Sequence, residues 1–384
     1  MTVTCFTLRM GKRVLVIPDK FKGTLTAEQA ARAMAKGWLR SRPGDRIEQL
    51  PMSDGGDGFG CVISRIHRAA PIKANTVDAA HRFLTAPWWW DSAGRTAIIE
   101  SARVVGLARL PKGKFHPFQL DTFGLGALLK AAAKKRARHC IVGIGGSATN
   151  DGGFGLARAL GWKFLNQRGK EIREWWQLRE LIRLQGPGAK MTLRCAVTIA
   201  LDVMNPLLGT QGCSRIYGPQ KGLGPEELSH AEKCLERLAE VAAEKTGLDF
   251  SSTPGAGAAG GLGFGLMTFA GGKPESGFAI FAGHADLRRR LREADLVITG
   301  EGSIDEQTLM GKGVGQIATL CRRAGKPCIA LGGTLQGIKR DRSTFARIQA
   351  LTDLTSKKRA MENPGRYLEA LAYRTANELS RALK

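Results

Sequence analysis

Five times along this chain, a loop dense in glycine and small polar or acidic residues follows a short apolar run or opens a helical pattern. These loops are residues 19–23 (DKFKG), 53–58 (SDGGDG), 143–153 (GIGGSATNDGG), 200–206 (ALDVMNP) and 299–308 (TGEGSIDEQT). Few architectures accept that arrangement. Glycine lets the backbone approach a ligand closely or take a positive φ. In open α/β sheets, ligands gather at the carboxyl ends of the strands. The chain has 49 glycines in 384 residues, above the usual share of about 7%. They cluster in these blocks and show no collagen period.

Strand and helix signals fill in the frame. Residues 14–17 are a β-branched run ended by Pro18, the pattern of a buried strand. The helix after it carries Ala27, Ala30, Ala31 and Met34 on one face. Thr26 and Gln29 have capping-box spacing, and the helix is predicted to end near Gly37. Further strands are predicted over 96–100, 140–144, 195–203, 294–299 and 327–331. Helices are predicted over 124–135, 154–160, 226–246 and 313–323. Trp88, Trp89 and Trp90 form a β-prone run suited to an edge or packing strand. Tight βαβ alternation near the carboxyl terminus implies a parallel sheet with right-handed crossovers, and the first sixty-odd residues have the same character. At roughly 100–200 residues per domain, the length suggests two domains. The expected fold is α/β: a Rossmann-like doubly wound domain built from both chain ends (1–66 and 286–384), with a second α/β domain (67–285) inserted.

The composition of the loops suits phosphoryl transfer. Backbone N–H groups surround phosphate oxygens, lysine offsets their charge, and aspartate holds Mg²⁺ or orients a hydroxyl. Lys20 and Lys22 stand just before a helix and fit an anion site, or equally a surface βα loop. Ser53, Asp54 and Asp57 lie among glycines, as a metal or hydroxyl site or an Asx-capped turn would. Gly145, Gly146, Ser147, Thr149, Asn150 and Asp151 follow a strand and precede a helix, so their amides can cradle an anion. The same loop matches G-x-G-x-x-A, the weak dinucleotide fingerprint. Asp202 ends an apolar strand, a common place for a catalytic carboxylate and also for a turn cap. Asn205 follows it, and Lys221 lies downstream in GPQKG. Glu301 and Asp305 close another strand, with Lys312 after them. No GxxxxGK[ST], HRD or DFG occurs, which excludes a Walker A loop and the protein-kinase signature.

A net charge of +24 invites a nucleic-acid reading. The basic residues are scattered, however, and no groove-reading motif accompanies them, so no specific nucleic-acid partner is expected. A positive surface does attract anionic substrates. None of the eight cysteines forms a CxxC pair, and the histidines show no metal spacing. Buried free thiols in a reducing compartment are the simplest account. Neither a signal-peptide core nor an apolar run of the roughly 18 residues a span needs is present. The expectation is a cytoplasmic protein with no membrane partner.

Taken together, the motifs resemble the bacterial glycerate kinase family of the glyoxylate-pathway type. They are IPDKFKGTLTAEQAARAMAKG, PMSDGGDGF, AIIESARVVGL, GIGGSATNDGGFGLARALG, ALDVMNPLLGTQGCSRIYGPQKG, GAGAAGGLGFG and ADLVITGEGSIDEQTLMGKGVGQIA. They stand in the family's order from Val14 to beyond Leu331. Departures are modest: Lys20 where the family often has Ser, Asp57 for Glu, Ser303 for Arg and Met310 for His. Ser303 removes a cation close to a proposed site.

The resemblance implies ATP and Mg²⁺ as cofactors and D-glycerate as acceptor, usually at the 2-hydroxyl. It also implies a two-domain architecture with the active site in the interdomain cleft, and it leaves homo-oligomerisation open. On this reading Asp202, or failing it Asp54, activates the hydroxyl. Asp305 or Glu301 holds Mg²⁺. Lys22 and Lys312 offset charge, and the loop 145–153 receives phosphate or the substrate carboxylate. A kinase of another small hydroxy acid and an NAD-linked oxidoreductase are the alternatives.

Overall fold

Strand Arg13–Pro18 pairs in parallel with Arg46–Gln49 on one side and Leu296–Gly300 on the other. Cys328–Gly332 and Arg347–Ala350 extend the sheet to five strands, all parallel. Leu296–Gly300 and Cys328–Gly332 are buried at every position. A parallel strand is covered on both faces and therefore reads as a continuous apolar run rather than an alternating one. The computed structural model describes residues 11–188, 193–309, 313–338 and 344–382. It divides into two units, one formed by residues 1–53 and 281–384 and the other by 54–280.

In the first unit, helix Ala27–Ser41 starts at the expected capping box. Thr26 Oγ1 accepts from the Gln29 amide at 3.1 Å, and Gln29 Oε1 accepts from the Thr26 amide at 2.9 Å. The helix runs past Gly37, where the sequence suggested an end. Gly37 faces helix Pro364–Ala382, and a Cβ there would overlap the Glu369 carbonyl. The glycine serves close helix packing rather than termination. Lys36 and Arg40 both pair with Glu369 across the same contact.

In the second unit a six-stranded sheet runs Lys273–Ser276, Ala196–Leu201, His139–Gly143, Thr96–Glu100, Phe83–Asp91, Ala70–Val77. The first four are parallel, and the last two are added antiparallel. Trp88–Trp90 lies on a strand paired on both sides, and Trp88 is fully buried. This unit begins before helix Phe59–Ile66, not after it at residue 66. The amides of Gly58 and Gly60 donate to Glu100 at 3.1 and 3.0 Å, which binds that helix to this sheet. Its far boundary lies at Ile280 rather than 285. Cys140, Cys213, Cys234, Cys321 and Cys328 are buried free thiols, while Cys61 is exposed. Among the described residues, no helix is long and apolar enough to cross a membrane.

Gly→Ala inside a helix normally gains up to about 1 kcal/mol. At Gly37 the overlap with Glu369 reverses the sign, so Gly37→Ala is expected to lose about 1–3 kcal/mol, as overpacking does. A lowered urea midpoint checks this; an unchanged or raised midpoint would show that the helices separate freely.

Candidate active site

Register places three strand ends of the second unit at one level. Glu100 pairs with Gly143, and Gly143 with Ala200. The segments that follow, from Ser101, Ile144 and Asp202, therefore leave the sheet together. The acidic loop 54–58 lies on them. Gly55 O accepts from the Gly145 amide at 3.3 Å, and a Cβ on Gly55 would sit 3.2 Å from Ala200 O. A Cβ on Gly145 would come within 2.6 Å of Gly56 Cα and 3.4 Å of Asp202 Oδ2. Gly146, at φ 77°, carries the Asp57 carboxylate directly against it. The Asp54 carbonyl abuts Gly277. The structure thus gathers Asp54, Asp57, Gly145, Gly146 and Asp202, and Asp202 is exposed. Only glycine at 145 and 146 permits this closeness.

The rest of the glycine loop turns inward. Ser147 Oγ lies 2.8 Å from Thr149 Oγ1 and accepts from the Thr149 amide at 3.1 Å. Lys221 Nζ donates to Thr149 O at 2.6 Å, and Asn150 Nδ2 donates to Ser214 Oγ at 2.9 Å. Asn150 Oδ1 is buried with no partner among the described residues. Asp151 is fully buried. Its Oδ2 accepts from the Thr122 amide at 2.9 Å, Thr122 Oγ1 at 2.8 Å and the Gly155 amide at 2.9 Å. Burial, and after it the charge of Asp121, pushes Asp151 up to about 6; burial brings Lys221 down to about 8. Both side chains brace the loop from inside. Asn205 Oδ1 accepts from the Tyr217 hydroxyl at 2.6 Å, and its Nδ2 donates to Gln211 O at 2.8 Å. Burial, with the Asp202 charge second, pushes Tyr217 up to about 12.

The remaining predicted residues belong to the first unit. The Asp19 amide donates to Gly300 O at 2.8 Å, and a Cβ on Gly302 would stand 3.1 Å from Lys22 N. This brings loop 19–23 beside 301–303. Lys20 is half-buried and Lys22 exposed. Thr308 Oγ1 donates to Glu301 Oε1 at 2.8 Å and lies 3.3 Å from Asp305 Oδ1, which also accepts from the Thr308 amide at 3.0 Å. One threonine therefore orders both carboxylates. Ser53 Oγ is buried with no partner among the described residues. Ser303 Oγ accepts from Thr334 Oγ1 at 3.3 Å. Lys312 lies outside the described residues. Among the described residues, no group of three His, Cys, Asp or Glu side chains stands ready to hold a metal.

Sequence reasoning missed Glu100, Thr122, Ser214 and Tyr217. Glu100 carried a signal, an acid closing an apolar strand as Asp202 does. The other three contact the loops from far along the chain, and nothing local marks them.

Parallel sheets flanked by helices, with acids and glycines gathered at strand ends, make this a mixed α/β protein of the kind that transfers phosphoryl groups. The model of the glycerate kinase family matches residues 14–382. The chain is 34% identical over 376 residues to the glycerate kinase of Bacillus subtilis (strain 168), covering 97% of this chain and 98% of that one. It is 36% identical over 325 residues to the glycerate 2-kinase of Escherichia coli (strain K12), covering 84% and 85%. The fold is similar to a crystal structure from Salmonella typhimurium LT2 provisionally described as glycerate kinase 2. That match has a TM-score of 0.82 and 30% identity, and it covers 97% and 99% of the two chains. The chain belongs to the glycerate kinase family and is a phosphotransferase.

The Lys221 contact is open to titration. Its folded pKa lies below the unfolded value, so its contribution to stability is present above about 10.5 and lost as pH falls through about 8. Wild type should therefore gain on Lys221→Met as pH rises across that window, by up to about 3 kcal/mol. Urea midpoints measured at several pH values check this. Parallel curves would show that the amine is not desolvated.

Proposed function

We propose that this protein transfers the γ-phosphoryl group of ATP to the 2-hydroxyl of D-glycerate. Family membership supports the kinase reading. The observation that carries the site is the convergence of loop 54–58, Gly145, Gly146 and Asp202 at one end of a parallel sheet. The 2-position is supported by the sequence resemblance and by the similarity to the glycerate 2-kinase of Escherichia coli.

Asp202 takes the role of base. It is exposed at a strand end, where it accepts the proton of the substrate hydroxyl as the oxygen attacks. Asp54 orients that hydroxyl. The Gly145 amide is bonded to Gly55 O and ties the two loops together, while the Gly146 amide suits the substrate carboxylate or the moving phosphoryl oxygens, as a donor fixed before the reaction. Asn150 Oδ1, buried and without a partner among the described residues, offers an acceptor for a substrate hydroxyl. Ser147, Thr149, Asp151, Asn205 and Lys221 hold the loops in place through the bonds given above.

Lys20, Lys22 and Lys312 are assigned to nucleotide phosphates, with Ser53 as a hydroxyl donor. Glu301 and Asp305 supply hard carboxylate oxygens, and Mg²⁺ is commonly bound through one or two carboxylates together with substrate phosphates. The residues present fit that ion. When bound, it offsets charge on the triphosphate.

We read the five-stranded parallel unit as Rossmann-like and doubly wound, with residues 54–280 as the inserted domain, in a cytoplasmic enzyme. An oxidoreductase is not favoured. In the dinucleotide fingerprint the glycine turn opens a helix directly, whereas here strand His139–Gly143 and helix Phe154–Ala159 are separated by ten residues.

The test is ADP release from MgATP with and without D-glycerate, the product being read through enolase with no phosphoglycerate mutase present. Glycerate-dependent ADP release with an enolase signal is expected. Release without that signal would move the acceptor to the 3-hydroxyl, and no glycerate dependence would defeat the substrate assignment. Asp202→Asn is expected to lower kcat about 100-fold or more; wild-type kcat in that variant would remove Asp202 as the base.

A further inference from the structure

The segment 100–107 (ESARVVGL) touches both loops of the site, although no role in the chemistry falls to it. Glu100 is 3% exposed. Its Oε1 accepts from the Gly58 amide at 3.1 Å and its Oε2 from the Gly60 amide at 3.0 Å. Arg103 Nε donates to Oε1 at 3.2 Å, which fixes the carboxylate in place.

The backbone that follows is bonded to the other loop. The Ser101 amide donates to Gly143 O at 2.8 Å, and the Leu107 amide to Gly146 O at 2.9 Å. The Ala148 amide donates to Val105 O at 2.8 Å, and Gly106 and Ser147 form an isolated bridge. One eight-residue strap therefore holds the acidic loop by a side chain and the glycine loop by its main chain.

We infer that Glu100 is a positioning residue that sets the acidic loop against Gly145, Gly146 and Asp202, and so places Asp54 for catalysis. The inference rests on the functional reading above. A carboxylate can satisfy both glycine amides at once. A carboxamide has one acceptor oxygen, and its NH₂ must face a backbone N–H. The isosteric change Glu100→Gln thus frees one side of the loop without emptying the site. A displacement of about 1 Å in a reacting group costs about 100-fold in rate.

The experiment compares Glu100→Gln, Asp54→Asn and the double variant, with amide hydrogen exchange followed at Gly58 and Gly60. For Glu100→Gln the expected result is faster exchange at those amides and kcat down about 100-fold, with KM for glycerate and for ATP little changed. The double variant should be no slower than Asp54→Asn alone, since both act through one loop. Losses that multiply in the double variant would overturn the inference, as would wild-type kcat in Glu100→Gln or in Asp54→Asn, or unchanged exchange.

Should Glu100→Gln fail to fold, Glu100→Asp carries the test. It keeps the charge but is one methylene shorter, and a reduced kcat with faster exchange at one amide is expected; wild-type behaviour overturns. A wild type with no glycerate-dependent turnover would sink the substrate reading separately. The exchange measurement then still decides whether Glu100 holds the loop, unchanged protection counting against it.

Discussion

The site depends on parallel register. Hydrogen bonding between Thr96–Glu100, His139–Gly143 and Ala196–Leu201 stops three strands at the same level, so their loops emerge side by side. A slip of one residue would turn each side chain to the opposite face and would part Gly145 from Asp202. The register is held by burial. Ala97, Ile98 and Ile99, Cys140, Ile141 and Val142, and Ile199, Ala200 and Leu201 are all buried. The apolar core thereby fixes where the polar chemistry stands.

Glycine converts that alignment into contact. Loop 54–58 reaches the backbone of Gly145 and the end of Ala196–Leu201 because no Cβ intervenes. Gly37 obeys the same rule in the other unit, where helix Ala27–Ser41 meets helix Pro364–Ala382. In both places the residue is required for distance, and in neither does it loosen the chain.

Polar side chains around the loops divide into two groups by burial. Asp151, Thr149, Asn150 and Lys221 are enclosed and bonded to other parts of the chain. Asp202 and Lys22 are exposed and suited to meet a ligand. Enclosure has an electrostatic consequence as well: it shifts Asp151 and Lys221 toward their neutral forms, because a charge away from water is costly.

Sequence alone determined the frame. Buried parallel strands read as continuous apolar runs, and glycine- and acid-rich blocks marked the strand ends, since both are local consequences of burial and backbone approach. Thr26 and Gln29 fixed a helix start for the same reason, a capping box being closed within four residues. Tertiary structure decided what the polar residues do. Asp151 and Lys221 stand in loops whose composition suggested ligand binding, and packing encloses both and bonds them to Thr122 and Thr149. Gly37 resembled a terminator until a helix more than three hundred residues away lay against it. Glu100 became visible as the clamp on Gly58 and Gly60 only when strand Thr96–Glu100 was set beside the acidic loop. Hydrogen bonds between residues far apart in sequence leave no local pattern, because each partner's type is common and only the fold brings the two within 3 Å.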